Sequence, residues 1–217
     1  MSSQVSDQVA AAPAHTLLGE GSHTRRELNP RQADTVARVL SAAHDELRSV
    51  GYDALTIRSV AARAGVAPAT AYTYFGSKNH LVAELFARRM VEHVAELPFA
   101  AGEPADRDAA IERVVALIRA LTDFLAAEPE IAHAVTPALL GTDADVQHLR
   151  LRIGTGWAAW FSSALGADRV AARPDVLDTT MLAVSGGLLQ AGMGLMTYPQ
   201  LGERLESAVR VIMEGVA

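Results

Sequence analysis

The chain of 217 residues contains no cysteine. That absence excludes disulfide staples, thiolate zinc sites and a cysteine nucleophile, and it fits a reducing compartment. Lys78 is the only lysine, so nearly all positive charge sits on arginine. Aromatic residues make up 5% of the chain, yet 50% of it is hydrophobic, which provides an aliphatic core large enough to fold. No uncharged apolar stretch of about twenty residues exists to span a bilayer. The most apolar run, Met181 to Met196, is shorter than that and is broken by glycines and polar residues. The opening residues MSSQVSDQVAAAPAHTLLGEG have neither a basic region nor a continuous apolar one, so no secretion signal is read. These gaps predict a soluble, cytoplasmic protein with no membrane partner.

Catalytic constellations are missing too. There is no Gly-x-Ser-x-Gly elbow and no phosphate loop, and Gly154-Thr155-Gly156 falls inside a predicted helix. Glu130-x-x-His133 is half of a di-iron bundle signature whose other half is absent, and His80 and Glu84 share a helix face without a third ligand. No catalytic residue, metal or cofactor is therefore expected. The net charge of −6 argues against nucleic acid until it is divided. Residues 22–90 hold ten Lys and Arg against six Asp and Glu, a net of +4, whereas residues 91–217 hold nine against seventeen, a net of −8. A basic head on an acidic body can hold phosphates at one end only.

What is present is helical. Residues 1–28 read as a solvated, flexible tail, although its Arg25 and Arg26 have the chemistry to enter a minor groove. Asn29 then caps a helix begun by Pro30, with Val36, Leu40, Ala43, Leu47 and Val50 on one face and Gly51 as its end. Thr56 opens a second helix, Gly65-Val66-Ala67 makes a tight turn, and Pro68 starts a third through Phe75. A fourth follows Gly76-Ser77 and lasts to Pro98. Further helices are predicted from Asp106 to Ala127, from Pro129 with a kink or stop at Pro137, from Asp143 to Leu165, from Pro174 to about Thr197, and from Pro199 to Gly215. No period-two alternation suggests strands. The expected fold is all-α with about nine helices: a tail over 1–28, a three-helix head over 29–90 and a helical body over 91–217.

The segment from Leu55 to Leu81 is the most specific in the chain. Two short helices joined by a Gly-containing turn can seat the second helix in a DNA major groove. Ala61, Ala62 and Ala64 let the helices approach, and Val60, Val66 and Tyr72 are suited to packing against the first helix. Pro68, Ala69, Thr70 and Thr73 are left on the outer face, with Tyr72 and Tyr74 at its edges. Hydroxyls can donate to phosphate oxygens, and methyl groups can meet thymine. Lys78 adds a cation at a helix start. Few of these groups can hydrogen-bond to base edges, so reading through apolar contact and DNA shape is expected.

The run Thr56-Ile57-Arg58-Ser59-Val60-Ala61-Ala62-Arg63-Ala64-Gly65-Val66-Ala67-Pro68-Ala69-Thr70-Ala71-Tyr72-Thr73-Tyr74-Phe75-Gly76-Ser77-Lys78, followed by Leu81, resembles the DNA-binding segment of the tetracycline-repressor (TetR) family. The resemblance covers residues 31–90. It departs at Thr73, where many members carry an aromatic or histidine. It implies that Thr56, Tyr74 and Lys78 clamp phosphates and that the face from Ala67 to Thr73 approaches the bases. It also implies dimerisation through the last two helices, a ligand cavity in the body whose filling respaces the two heads, and repression more often than activation.

In the body, two apolar stripes run along the helix predicted from Pro174: Leu177, Met181, Val184, Leu188, Ala191 and Leu195, and beside them Leu182, Gly186, Leu189, Met193 and Met196. A helix apolar on two faces is either buried on both sides in one core or packs its own core on one side and a partner on the other. With Leu205, Val209 and Ile212 of the last helix, this predicts a four-helix homodimer interface. Phe124, His133, Trp157, Trp160, Phe161, Met181 and Met193 are read either as plain core or as the lining of a pocket. In a pocket for a small apolar or amphipathic effector, Arg119, His133, Thr136 or Gln190 would fix the polar end. The combined expectation is an effector-responsive repressor binding a palindromic double-stranded operator. A helical interaction protein without DNA and a helical-bundle enzyme stand as alternatives.

Overall fold

The computed structural model describes residues 29–95 and 102–215. The expected tail over 1–28, with Arg25 and Arg26, lies outside the described residues. Every regular element among them is a helix: α1 Pro30–Ala54, α2 Ile57–Arg63, α3 Pro68–Tyr74, α4 Lys78–Ala95, α5 Arg107–Ala127, α6 Pro129–Leu139, α7 Ala144–Leu165, α8 Ala167–Ala172, α9 Pro174–Gly192 and α10 Tyr198–Glu214. The short α8 is one more than the sequence predicts. Gly166, expected to stop α7, has φ of 93° and begins α8 at once. α9 ends at Gly192, five residues before the expected Thr197, because Gly194 turns the chain with φ of 77°. Pro137 does not end α6, which runs on to Leu139.

The described residues form two compact units. In the first, residues through Met90 pack with Glu128–Ile153; in the second, residues from Val91 to Ala127 pack with those from Gly154 onward. The expected head, 29–90, therefore lies in a unit that also takes in α6 and the start of α7.

α1 begins in a capping box: Asn29 Oδ1 accepts from the Gln32 N–H at 3.0 Å, and the Asn29 N–H donates back to Gln32 Oε1 at 2.9 Å. Such a cap is worth roughly 1 kcal/mol. Val36, Leu40, Ala43 and Leu47 are buried as their spacing predicts, but Val50 is exposed. Gly51 breaks the helix there with φ of 75°, and one further turn reaches Ala54. α1 packs against α2, α3 and α6. Each large aliphatic side chain in this core contributes about 1.5–3 kcal/mol by leaving water.

The first unit also buries charge. Glu46, inside α1, accepts from Arg63 Nε at 2.7 Å, and this guanidinium and Ser59 hold its carboxyl below the usual carboxylate range. Glu84 of α4 is 0% exposed, between Arg152 Nη2 at 2.8 Å and Arg88 Nε at 3.4 Å. Burial pushes its carboxyl up, against the pull of both arginines. Glu128, just before α6, meets Arg89 at 2.7 Å and His44 at 2.9 Å, tying α4 and α1 to α6. Burial acts to raise its carboxyl, but these two partners outweigh it and leave it lowered.

In the second unit, α10 packs on α5 and α9, and α9 on α8. Glycines permit the close contacts. A Cβ at Gly202 would lie 2.9 Å from Thr122 Oγ1, and one at Gly187 would lie 2.4 Å from Leu201 Cδ1. No helix of the described residues is long and apolar enough to cross a membrane.

Candidate nucleic-acid interface

Thr56 caps α2, its hydroxyl accepting from the Ser59 N–H at 3.0 Å, while Ser59 Oγ receives the Thr56 N–H at 3.2 Å. The helix closes on Gly65, whose φ is 67°. The Val66 N–H reaches back to Ala61 O at 3.0 Å and the Gly65 N–H to Ala62 O at 3.2 Å, so the Ala-Gly-Val run is a left-handed C-cap. Nothing lies within 4 Å of a Cβ at Gly65, so the backbone conformation alone demands glycine. The turn sends the chain into α3 with Ala67 as an N-cap that has no side-chain cap bond.

One face of α3 is committed to packing and the other is open. Ala71 and Tyr74, three apart, are buried with Phe75, whereas Ala67, Pro68, Ala69, Tyr72 and Thr73 are exposed and Thr70 is half-buried. Both tyrosines were read at the edges of the outer face, and Tyr72 also as packing against α1. Tyr72 is 45% exposed, as an edge position is, whereas Tyr74 is 8% exposed and belongs to the packed face. The reason is the helical period: once Ala71 faces inward, position 74 follows it and position 72 is turned about 100° away. The Thr73 hydroxyl donates to Ala69 O at 2.9 Å. No charged side chain lies on α3.

Lys78 also has structural partners. Its Nζ donates to Tyr52 O at 3.0 Å and Asp53 O at 3.4 Å, and it sits 4.2 Å from the centre of the Tyr52 ring. It thereby satisfies carbonyls at the end of α1. Several further links in this unit escaped the sequence reading. Tyr52 Oη donates to Asn79, Ser77 Oγ donates to Asp143 Oδ2 at 3.2 Å, and Asp143 caps α7 through the Val146 N–H at 3.1 Å. Asp143 before a helix is a readable cap; its contact with Ser77, 66 positions away, has no local signal.

The comparisons with known proteins point one way. The family model of bacterial regulatory proteins of the tetR family matches residues 39–85, which end α1 and contain α2, α3 and the first turns of α4. An uncharacterized HTH-type transcriptional regulator of Mycobacterium tuberculosis is 41% identical over 189 residues, covering 86% of this chain and 84% of that protein. The chain belongs to the TetR family. It is therefore a DNA-binding transcriptional regulator. The HTH-type transcriptional repressor KstR of Rhodococcus jostii is 31% identical over 142 residues, 64% of this chain and 59% of that one. Among solved structures, a TetR regulator from Rhodococcus superposes with a TM-score of 0.68 at 17% identity, covering 85% of this chain and 99% of the other. FadR of Bacillus subtilis, in complex with stearoyl-CoA, gives 0.56 at 18%, covering 83% and 99%. At such identities the likeness is one of fold.

In this TetR-family chain the residues singled out for an effector pocket fall in both units. Phe124, Trp157, Trp160 and Phe161 are buried in the second unit, with Met181 half-buried. The rings of Trp157 and Trp160 meet edge to face at 5.1 Å, Phe161 lies 5.8 Å from Trp157, and His93 lies 5.6 Å from Phe124. Arg119 is outside this core, exposed and gripped by both Glu206 oxygens at 2.6 and 2.8 Å. His133 and Thr136 are on α6, in the first unit, where the exposed His133 ring bonds the Pro129 carbonyl at 2.7 Å. Gln190 and Met193 are exposed at the end of α9. Of the polar residues read for that pocket, Arg119, His133 and Gln190 are exposed and Thr136 is half-buried.

The dimer residues divide in the same way. Leu182 is 74% exposed, and Gly186, Leu189 and Met193 share its open side of α9. Leu205 and Val209 are buried against α10's own neighbours, since Leu205 approaches Gly187 of α9, and they are not open to a partner. Ile212 is half-buried, and Val211 beside it is exposed.

Proposed function

We propose that the protein is an effector-responsive repressor that binds a palindromic operator as a homodimer. The observation that carries this reading is the division of α3 into a packed face and an open, uncharged face presented by a glycine-closed turn. Residues 29–90 serve as the DNA-binding region, in which Ala67, Pro68, Ala69, Thr70, Tyr72 and Thr73 meet the bases. Thr56, Tyr74 and Lys78 contact phosphates. Residues 91–217 bind the effector and the second copy. The open stripe of Leu182, Gly186, Leu189 and Met193, extended by Leu195 and Val211, is the partner-facing surface; exposed leucines in such a row are uncommon on a monomer. A twofold pair would set the two α3 helices about 34 Å apart, one turn of DNA. Repression is supported by the name of the Rhodococcus relative. An apolar effector is supported by the aromatic core around Trp157 and Phe161, and the stearoyl-CoA bound to Bacillus FadR suggests the first probe. The protein acts in the cytoplasm, where its operator is.

The test is a labelled duplex from beside the gene, titrated with protein and then with stearoyl-CoA, with mass measured by sedimentation. One dimer per symmetric site, loss of the dimer in Leu182→Glu, and release by the acyl compound are expected. A monomer that binds any duplex equally would overturn the reading.

A further inference from the structure

Among the described residues of the second unit, one buried side-chain polar atom has no hydrogen-bond partner. Trp160 is 4% exposed, and its indole Nε1 is shut off from solvent and has no hydrogen-bond acceptor among the described residues. Buried donors in native proteins are nearly always paired, so one left over asks for an acceptor. The surroundings narrow what the acceptor can be. Among the described residues of this unit, the only buried polar side chains are Thr122 and Thr180. Each hydroxyl donates to a carbonyl of its own helix, Ile118 O at 3.0 Å and Val176 O at 2.8 Å. Among the described residues of this unit no arginine is buried, and Arg119, which the sequence offers for the polar end of a ligand, is taken by Glu206. A carboxylate entering this core would lose its hydration and find no buried arginine to pair with among the described residues.

We infer that Trp160 is the polar anchor of the effector site and that the group it receives is an uncharged carbonyl (ketone, ester, amide or thioester) on an otherwise apolar molecule. This rests on the effector-binding reading above and adds the chemistry of the buried end. The N–H is closed in the free protein, so the ligand parts the Trp157–Trp160 edge-to-face pair as it enters, a site that ligand binding itself opens. The tilted contact between Trp157 and Phe161 leaves aromatic faces to cover the alkyl part.

Three probes of one length separate the terms: 2-decanone, decane and decanoate, titrated against the full chain by tryptophan fluorescence. The ketone binds saturably and about tenfold more tightly than decane or decanoate, the advantage expected of one hydrogen bond within an apolar site. Trp160→Phe keeps the ring and removes the N–H, and it brings the ketone down to the level of decane, with Trp157 as the remaining reporter. Trp157→Phe keeps the preference. If Trp160→Phe fails to fold, the native chain decides: the Trp160 indole N–H resonance moves downfield with 2-decanone and stays with decane. Equal binding of ketone and decane, preference for decanoate, a preference that survives Trp160→Phe, an unmoved resonance, or no binding of any probe would each overturn the inference. Binding to the operator duplex, measured on the same sample, separates this failure from failure of the regulator reading.

Discussion

The two units of the chain bury different things. Among the described residues, the first encloses Glu46, His80 and Glu84 and ties its helices with ion pairs, whereas the second encloses two threonine hydroxyls and the indoles of Trp157 and Trp160. The difference fits the roles proposed for the two units. A surface that reads DNA needs its helices in one register, and directional, charge-assisted bonds such as Arg63–Glu46 and Arg89–Glu128 penalise any other. A core that admits an apolar molecule benefits from contacts that re-form after sliding, and aliphatic and aromatic packing has no fixed direction.

The comparison breaks most sharply at Glu84. Glu84→Ala leaves Arg88 and Arg152 facing a vacated apolar space, and it should lower stability by about 3–5 kcal/mol, read as a fall in urea midpoint with unchanged slope. A loss below about 1 kcal/mol would show that the triad does not hold the first unit together. In the second unit the corresponding weak point is steric. Gly202→Ala drives a methyl against Thr122 Oγ1, which is pinned by Ile118 O and Arg119 O, and should cost about 1–3 kcal/mol by the same measurement. Thr122→Ser in the Gly202→Ala background leaves the clash; Thr122→Ala relieves it.

The smallest effect is pH-dependent and belongs to the first unit. Glu46 and Glu128 are lowered in the folded state, so the stability they add is full above the ordinary glutamate value and is lost as pH falls through their depressed folded values. Glu84 has the opposite sign: its raised carboxyl costs stability at neutral pH that acid returns in part. Glu128→Gln should cost on the order of 1 kcal/mol at pH 7, because solvent screens the pair, and should flatten the decline in melting temperature below about pH 4.5. An unchanged decline would mean that Glu128 is not coupled to folding.

The helices and the DNA-binding motif were legible in the sequence because their signals are local. Asn29, Thr56 and Gly65 announce caps and turns by chemistry alone, and the motif from Thr56 to Lys78 is a contiguous string. What failed depended on direction or distance. Tyr72 and Tyr74 are two positions apart on a seven-residue helix, and only the buried Ala71 decides which one faces inward. Leu205 and Leu182 look equally apolar, but one is buried beside Gly187 and the other is 74% exposed. The Glu84–Arg152 pair joins residues 68 positions apart, beyond any periodicity.

The measurement that bears most directly on the account is duplex binding by the native chain and by Tyr72→Ala over a salt series. Tyr72 is the better probe than Lys78, whose loss would also free the Tyr52 and Asp53 carbonyls. If the open face of α3 reads DNA, the native protein binds the duplex beside its gene selectively, with affinity falling steeply as salt rises. Tyr72→Ala then loses at least about tenfold in affinity, the weight of one good base contact, while melting at an unchanged temperature. Native binding that is equal on unrelated duplexes and indifferent to Tyr72→Ala would contradict the account.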